Sequence, residues 1–421
     1  MSAGIATSVT SLRLATAGSV DDGKSTLIGR LLYDSKAVLA DQLEQVAEAS
    51  RRRHGEGAVD LSLLTDGLRA EREQGITIDV AYRFFATPRR RFILADTPGH
   101  VQYTRNMVTG ASTADLAIVL VDARNGVLEQ TKRHAFLSSL LGIRHLVLAV
   151  NKMDLIGFDE AVFEAIVSEF AAFAAGLADE LDVVAIPISA LEGDNVVEAS
   201  ERTPWYDGPP LLEHLETVEV AADRNLSELR FPVQWVIRPG ESDYRGYAGQ
   251  IASGVVCVGD EVQVLPSQRT TRIAAIDTFD GGLTEAFAPM SVTLRLADDV
   301  DVTRGDLICH PDDAPTLSRE LEADVCWMAD APLRPGGRYV IKHATHAARA
   351  IVDEVRWAVD VHTLEPDEDV AELALNDIGR VRLRASHPLA FDDYGRNRAG
   401  GAFVLVDEAT NDTVAAGMIR A

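Results

Sequence analysis

The first half of the chain alternates short apolar runs with longer stretches of helical periodicity. Apolar runs occupy 92–95, 116–121, 145–150 and 183–188, and helical stretches occupy 129–141 and 159–175. Strands that are apolar almost throughout are typical of a sheet that is buried on both faces. Because strands and helices take turns, the pattern predicts a parallel sheet covered by helices, which a short helix at 211–217 closes.

The second half changes to short apolar–polar alternations separated by Gly, Pro and Asp turns. Strands are predicted at 231–238, 249–258, 261–266, 272–279 and 291–296 and, after a turn-rich break at 310–315, at 322–328, 338–342, 348–357, 379–385 and 402–407. Such spacing is typical of antiparallel barrels or sandwiches. We therefore expect an α/β domain at 1–217, a β-barrel domain at 230–312 and a second β-barrel domain at 320–421, with the polar segment 219–229 as a linker.

The first predicted strand, at 12–17, runs into a glycine-rich segment that matches G-x-x-x-x-G-K-[ST] at every specified position. A helical stretch follows, so backbone N–H groups at a helix N-terminus can converge on phosphates. Lys24 is placed to contact the β- and γ-phosphates, and the hydroxyl of Ser25 is placed to ligate Mg²⁺. The predicted nucleotide contacts here are Gly18, Ser19, Val20, Asp21, Asp22, Gly23, Lys24, Ser25 and Thr26.

Two further segments, at 77 and at 96–100, are placed to contact the γ-phosphate. Thr77 is placed to close over the γ-phosphate and Mg²⁺, and Asp96 ends an apolar strand, where it can face the metal through a water. Gly99 can turn its N–H toward the γ-phosphate, and His100 can orient the attacking water. We therefore predict His100, Lys24 and Thr77 as catalytic residues and Ser25, Thr77 and Asp96 as ligands of Mg²⁺.

The segment 151–154 follows another predicted strand and selects the base. A carboxylate at Asp154 can accept the N1–H and the exocyclic amine of guanine, whereas adenine would leave it unsatisfied. Asn151 and Lys152 precede it, and the loop Ser189, Ala190 and Leu191 is placed to meet the guanine carbonyl with a backbone N–H. The motifs together predict GTP binding with hydrolysis in an α/β P-loop GTPase domain followed by two antiparallel β-barrel domains.

Composition and net charge indicate which classes of partner are disfavoured. The 421 residues are 47% hydrophobic and carry a net charge of -25, which disfavours a protein that grips nucleic acid. The basic triplets at 51–53 and 89–91 are short, and we expect them to be solvated surface. The sequence shows no apolar run near the roughly 20 residues that a membrane span needs and no signal-peptide pattern, so we expect a cytoplasmic protein. The three scattered cysteines suggest neither a zinc site nor disulfides.

The nucleotide motifs at 20–26, 72–78, 96–100 and 151–154 resemble those of the translation-factor class of GTPases. A closer resemblance, to the large GTP-binding subunits of bacterial sulfate adenylyltransferase, covers nearly everything from residue 12 onward. It is carried by 64–82, 99–107, 189–196, 204–206, 231–234, 244–249 and 400–403. It implies one GTPase domain, two β-barrels, and hydrolysis of GTP coupled to the formation of adenylyl sulfate from ATP and sulfate. It also implies a partner, the small ATP-binding catalytic subunit of sulfate adenylyltransferase.

Some members of that family continue into an adenylyl-sulfate kinase with its own phosphate loop. This sequence contains one such loop, and we expect no kinase domain in it. Two other functions stay open: a translation-factor-like GTPase that delivers tRNA or a release factor to the ribosome, and a scaffold that has lost hydrolysis. The acidic balance and the match across Trp205, Tyr244 and Gly401 favour sulfate activation over the first, and His100 disfavours the second.

Overall fold

The computed structural model describes residues 10–36, 41, 44, 46, 48, 50–51, 60–64, 77, 79–100, 103–177, 181–220, 225–239, 243–360 and 363–420. The chain divides into two compact units, Met1–Val220 and Ala221–Ala421. The α/β pattern lies in the first unit and the antiparallel pattern in the second, which confirms the predicted fold class.

The first unit is built on a six-stranded sheet in the order β2-β3-β1-β4-β5-β6. The strands are β1 (Thr10–Ala17), β2 (Ala81–Ala86), β3 (Arg90–Asp96), β4 (Leu116–Asp122), β5 (His145–Asn151) and β6 (Asp182–Pro187). All neighbours run parallel except β2 against β3. Every residue of β4 is buried, as its continuous apolar sequence predicts for a central strand.

Helices cover this sheet. They are α1 (Lys24–Asp34), α2 (Thr104–Ala111), α3 (Glu129–Leu140), α4 (Glu160–Ala174) and α5 (Leu211–Thr217), with 3₁₀ turns at Leu61–Leu64 and Met153–Ile156. Helix α1 places Leu27, Ile28 and Leu31 in the same core as the strands. Helix α4 is capped by Asp159, whose side chain accepts hydrogen bonds from the N–H groups of Ala161 and Val162.

The strand register decides where polar side chains meet. Thr16 pairs with Asp96 across β1 and β3, and Asp122 pairs with Asn151 across β4 and β5. Both pairs stand at the carboxyl ends of parallel strands, the edge at which open α/β sheets bind ligands. The sheet thus gathers the residues that follow β1, β3, β4 and β5 at one edge.

The second unit is antiparallel throughout. Its first sheet contains β7 (Phe231–Pro232), β8 (Trp235–Ile237), β9 (Gly246–Gln250), β11 (Glu261–Leu265), β12 (Arg269–Thr278), β13 (Gly281–Leu283), β15 (Ser291–Leu296) and β16 (Leu307–Cys309), and β10 (Val255–Cys257) pairs with β14 (Glu285–Phe287). Its path runs β7-β16-β11-β12-β15-β9-β8. The side chains inside it form a separate apolar core.

Six of the seven strands described between residues 316 and 420 close into a ring. The strands there are β17 (Thr316–Trp327), β18 (Arg338–His343), β19 (His346–Val359), β20 (Pro366–Asp367), β21 (Ile378–Phe391), β22 (Ala402–Val406) and β23 (Thr413–Arg420), with a short helix α6 (Arg398–Gly401) and a 3₁₀ turn Pro311–Asp313. The order β18-β22-β23-β17-β21-β19 returns to β18 through the pairing of β18 with β19. The ring is a closed barrel around its own core.

Two of the predicted strands are broken. The strand expected at 231–238 divides into β7 and β8 because the chain changes partners: Val233 N–H donates to the Asp306 carbonyl, and Gln234 N–H to that of Ala248. The strand expected at 249–258 divides at Gly254, which has a φ of 80°. A side chain there would also meet the Leu229 backbone at 2.4 Å, so both conformation and space require glycine.

The basic triplet at 89–91 is not simply surface. Arg90 is buried, and its guanidinium donates to the Leu215 carbonyl at 2.8 Å. The expectation of solvated surface was wrong for Arg90, because its side chain extends from β3 and donates a hydrogen bond to a carbonyl of α5. In the described part of the chain, no helix is long and apolar enough to cross a membrane.

Candidate functional site

The glycine-rich segment forms a tight loop between β1 and α1. Gly18, Asp21 and Gly23 all have positive φ, at 151°, 69° and 95°. Lys24 is buried, and its Nζ donates to the carbonyls of Gly18 at 2.7 Å and Ser19 at 2.9 Å. Burial lowers the pKa of Lys24, and the nearby carboxylate of Asp96 opposes that shift. The loop therefore wraps around Lys24, whose ammonium group lies among backbone carbonyls of the loop.

The side-chain amide of Asn151 joins this loop to the Ser189–Leu191 loop, which follows β6. Asn151 Nδ2 donates to the Asp22 carbonyl at 2.7 Å, and Asn151 Oδ1 accepts from the Ala190 N–H at 2.9 Å. A Cβ on Gly23 would lie 2.5 Å from Asn151 Nδ2. The structure thus brings together residues from three motifs that are far apart in sequence.

Lys152 reinforces the same junction. Its Nζ donates to Asp122 Oδ2 at 2.8 Å and also bonds to the Asp21 carbonyl. Asp122 accepts a second hydrogen bond to the same oxygen, from the guanidinium of Arg124. Although burial raises the pKa of Asp122, the hydrogen bonds from Arg124 and Lys152 hold it well below its usual range. Asp122 is therefore a fixed anion that anchors the lysine.

The segment after β3 lies against the loop. Asp96 is buried, and one of its carboxylate oxygens accepts from the Thr16 hydroxyl at 3.4 Å. A Cβ on Gly99 would lie 2.5 Å from Lys24 Nζ and 2.4 Å from the Gly18 carbonyl oxygen. His100, next along the chain, is exposed, and its ring faces the edge of Tyr103 at 6.1 Å. These contacts put Asp96 and Gly99 at the mouth of the loop, and His100 follows Gly99 directly in sequence.

The remaining residues predicted to contact the phosphates and Mg²⁺ have few described contacts. Ser25 and Thr26 are half-buried in the first turn of α1, and Val20 is 37% exposed. Thr77 is half-buried, and its neighbours at 71–76 and 78 lie outside the described residues. Among the described residues, no contact joins Thr77 to the loop.

The predicted base-binding residues stand beyond Asn151. Asp154 is half-buried in the 3₁₀ turn that follows β5. Ser189 is buried, and its hydroxyl accepts from the Glu192 N–H at 3.2 Å. Leu191 is 56% exposed, whereas Ala190 is buried, so the Ser189–Leu191 loop presents one apolar side chain to solvent.

Two residues of this site were missed by the sequence reasoning. Arg30 Nε, on α1, donates to the Ala190 carbonyl at 3.2 Å, and its guanidinium also bonds to the Leu191 carbonyl. No local pattern signals this contact, because it joins positions 160 residues apart. Asp122, in contrast, ends an apolar strand just as Asp96 does, and that signal could have been used.

Near His100 two buried polar atoms lack a hydrogen-bond partner in the part of the chain that the structure describes. Pro98, His100, Gln130 and His134 lie close together there, and neither Gln130 Nε2 nor His134 Nδ1 has a hydrogen-bond partner among the described residues. Burial, with the positive charges of Lys24 and Arg133, lowers the pKa of His134 to about 3. His134 is therefore a neutral imidazole within electrostatic reach of the loop lysine.

The oxygen ligands available at this site are of the kind that bind a hard cation. Ser25 supplies a hydroxyl and Asp96 a buried carboxylate, and such oxygens are the ligands that Mg²⁺ takes. No group of three His, Cys, Asp or Glu side chains is gathered anywhere in the described residues. The site accordingly fits an ion that binds through few protein ligands, with phosphates and water completing its shell.

Known proteins match almost the whole chain. A family model of the elongation factor Tu GTP binding domain matches residues 10–222, and one described as GTP-eEF1A C-terminal domain-like matches residues 320–420. Over 414 residues the chain is 63% identical to a bifunctional enzyme CysN/CysC of Mycobacterium tuberculosis, covering 97% of this chain and 67% of that protein.

Two more relatives carry the name sulfate adenylyltransferase subunit 1. The protein of Bacteroides fragilis is 54% identical over 409 residues, covering 97% of this chain and 85% of its own length. That of Alteromonas mediterranea is 53% identical over 409 residues, covering 97% of this chain and 86% of its own.

The fold, the loop geometry and the matching domain define a GTPase of the translation-factor class. Identity above 50% over almost the whole chain then identifies the family within this class. The chain belongs to the family of sulfate adenylyltransferase subunit 1.

Proposed function

We propose that this chain is the GTP-hydrolysing subunit of a sulfate adenylyltransferase, coupling GTP hydrolysis to formation of adenylyl sulfate and pyrophosphate from ATP and sulfate. The observation that carries the proposal is the Asn151 amide, which bonds to the phosphate loop on one side and to the Ser189–Leu191 loop on the other. A phosphate site and a base site held by one side chain suit a single nucleotide. The names of the relatives supply the reaction.

Hydrolysis is assigned to the residues at the mouth of the loop. The backbone N–H groups of 18–26 hold the phosphates, and Lys24 leaves its two carbonyl partners to neutralise the β- and γ-phosphates. Ser25, Asp96 and Thr77 would hold Mg²⁺, and the bound ion would neutralise charge that develops on the phosphate oxygens. His100 orients the attacking water, and the Gly99 N–H donates to the γ-phosphate.

Base selection is assigned to the residues beyond β5. The Asp154 carboxylate accepts the two guanine donors, and a backbone N–H of the Ser189–Leu191 loop meets the guanine carbonyl. Asn151 and Lys152 hold both segments in place through the contacts measured above. Adenine at this position would leave the Asp154 carboxylate unpaired, which costs about 1 to 3 kcal/mol for a buried acceptor.

The proposed partner is a small ATP-binding subunit that carries the adenylyl transfer. It is supported by the word subunit in the relatives' names and by the resemblance of residues 64–82 and 231–234. Neither nucleic acid nor membrane is part of the proposal. A segment that orders around the γ-phosphate can report the nucleotide state to a bound neighbour, and such couplings are typically about 1 to 3 kcal/mol.

The test is a comparison of activators. GTP hydrolysis by the purified chain is measured alone, with the purified small subunit, ATP and sulfate, and with ribosomes carrying messenger RNA. The proposal expects preference for GTP over ATP in a binding titration and stimulation of hydrolysis by the small subunit. Stimulation by ribosomes and not by the small subunit would return the chain to translation-factor-like delivery of tRNA or a release factor.

A further inference from the structure

An acidic side chain is packed inside the phosphate loop itself. Asp22 is only 3% exposed, and its Oδ2 accepts the Ser19 N–H at 2.6 Å. A Cβ on Gly18 would lie 3.3 Å from the same oxygen. The carboxylate is therefore enclosed by the loop and does not extend from it into solvent.

The surrounding charges compensate this carboxylate only in part. Among the residues that the structure describes, Asp22 forms no ion pair, because Lys24 Nζ is turned to the Gly18 and Ser19 carbonyls. Lys24 and Lys152 act on it favourably from a distance, and Asp122 acts unfavourably. Burial raises the pKa of the Asp22 carboxyl, as expected for a charge that the loop holds at a cost in free energy.

The position of this charge cannot easily relax. Asn151 Nδ2 holds the Asp22 carbonyl at 2.7 Å, and Gly23 and Lys24, which follow directly, begin the helix whose N-terminus faces the phosphates. A phosphate held by this loop thus brings negative charge close to a buried carboxylate. Like charges repel more strongly there than in water, because the effective dielectric constant is lower.

We propose that the Asp22 carboxylate weakens nucleotide binding and thereby sets the rate at which GDP leaves the site. The inference rests on the proposed function, since it takes the loop at 18–26 as the phosphate site. A loop that holds GDP loosely allows GTP to replace it without a separate exchange protein. Asp22 thus acts on the affinity and lifetime of the bound nucleotide and has no part in the chemical step.

The experiment measures release of a fluorescent GDP analogue, chased by excess unlabelled GDP with Mg²⁺ present, from the full chain. Asp22→Asn removes the charge but keeps the size and an oxygen that accepts the Ser19 N–H. Release should slow about tenfold, which corresponds to about 1.4 kcal/mol of binding free energy. Glu192→Gln removes the same charge from an exposed position near the Ser189–Leu191 loop, and release should stay within about twofold of wild type.

The expected result is a gain of affinity, which damage to the loop would not produce. Asp22→Ser, which is also neutral, repeats the test if Asp22→Asn folds poorly, and it should slow release as well. Release from both neutral variants that is as fast as from wild type, or faster, overturns the inference. Wild-type protein that fails to bind the GDP analogue overturns the phosphate site and this inference together, whereas binding with unchanged release overturns the inference alone.

Discussion

Gly99 and Lys24 approach each other so closely that no side chain fits between them. A Cβ on Gly99 would stand 2.5 Å from Lys24 Nζ, within the contact distance of real atoms, and 2.4 Å from the Gly18 carbonyl oxygen. The segment after β3 and the loop after β1 therefore share one small space. The two segments are more than 70 residues apart in sequence, and the parallel pairing of β1 with β3 brings them together.

Gly99→Ala should disturb this contact. Because the Gly18 carbonyl is backbone and cannot move aside cheaply, we expect the Gly99 segment to shift and both GTP affinity and hydrolysis to fall about tenfold or more. Titration with GTP and single-turnover hydrolysis measure the two effects. Gly176→Ala is the control, because among the described residues its Cβ would meet the Phe173 carbonyl at an ordinary 3.5 Å. Equal behaviour of the two variants would contradict the close approach.

Much of this site could be predicted from the sequence because its motifs are local. The turn from β1 into α1 needs glycines at fixed spacing, and a strand-end carboxylate such as Asp96 follows from an apolar run. The contacts of Arg30 and Asn151 could not be predicted, because they depend on which strand ends meet. For the same reason the broken strands β7 and β8 were missed: their partner change at 233–234 depends on β16 and β9.

Asp154→Asn should change which base is bound. The amide can no longer accept both guanine donors, and its N–H group suits the acceptor that xanthine presents, so we expect loss of GTP affinity by about 1 to 3 kcal/mol and a gain for xanthosine triphosphate. Competition titrations with the two nucleotides give the ratio. The exposed neighbour variant Asp159→Asn, outside the proposed site, serves as the control. Unchanged preference for GTP in Asp154→Asn would exclude the assignment.

His100 and Lys24 should separate chemistry from binding. His100→Ala removes the proposed orientation of water and should lower single-turnover hydrolysis about 10²-fold or more while GTP affinity stays nearly intact. Lys24→Ala removes a charge that contacts the phosphates in ground and transition states, so affinity and turnover should fall together. A His100→Ala variant that loses as much affinity as Lys24→Ala would make His100 a structural residue.

His134 should make the stability of the first unit depend on pH. Its pKa of about 3 in the folded protein lies below the roughly 6.5 of an unfolded histidine. Between these values the unfolded chain binds a proton that the folded chain does not, so the stability present above about pH 6.5 is lost as the pH falls, by about 2 kcal/mol at pH 5.

Hydrogen exchange of α3 amides at pH 7 and pH 5 measures this difference. In His134→Phe the loss between the two pH values should shrink by about 2 kcal/mol. Leu137→Ala, at a buried position of the same helix that does not titrate, should lower stability at both pH values and leave the wild-type difference. The same pH dependence in His134→Phe as in wild type would show that His134 does not carry it.

The central claim is that the nucleotide bound by this chain governs adenylyl transfer in its partner. The direct measurement is pyrophosphate release by the reconstituted pair of subunits, with ATP, sulfate and Mg²⁺, in the presence of GTP and in the presence of GDP. The account predicts faster release with GTP, and it predicts that Asp154→Asn transfers this stimulation from GTP to xanthosine triphosphate. Equal rates with GTP and GDP in the wild-type pair would contradict it.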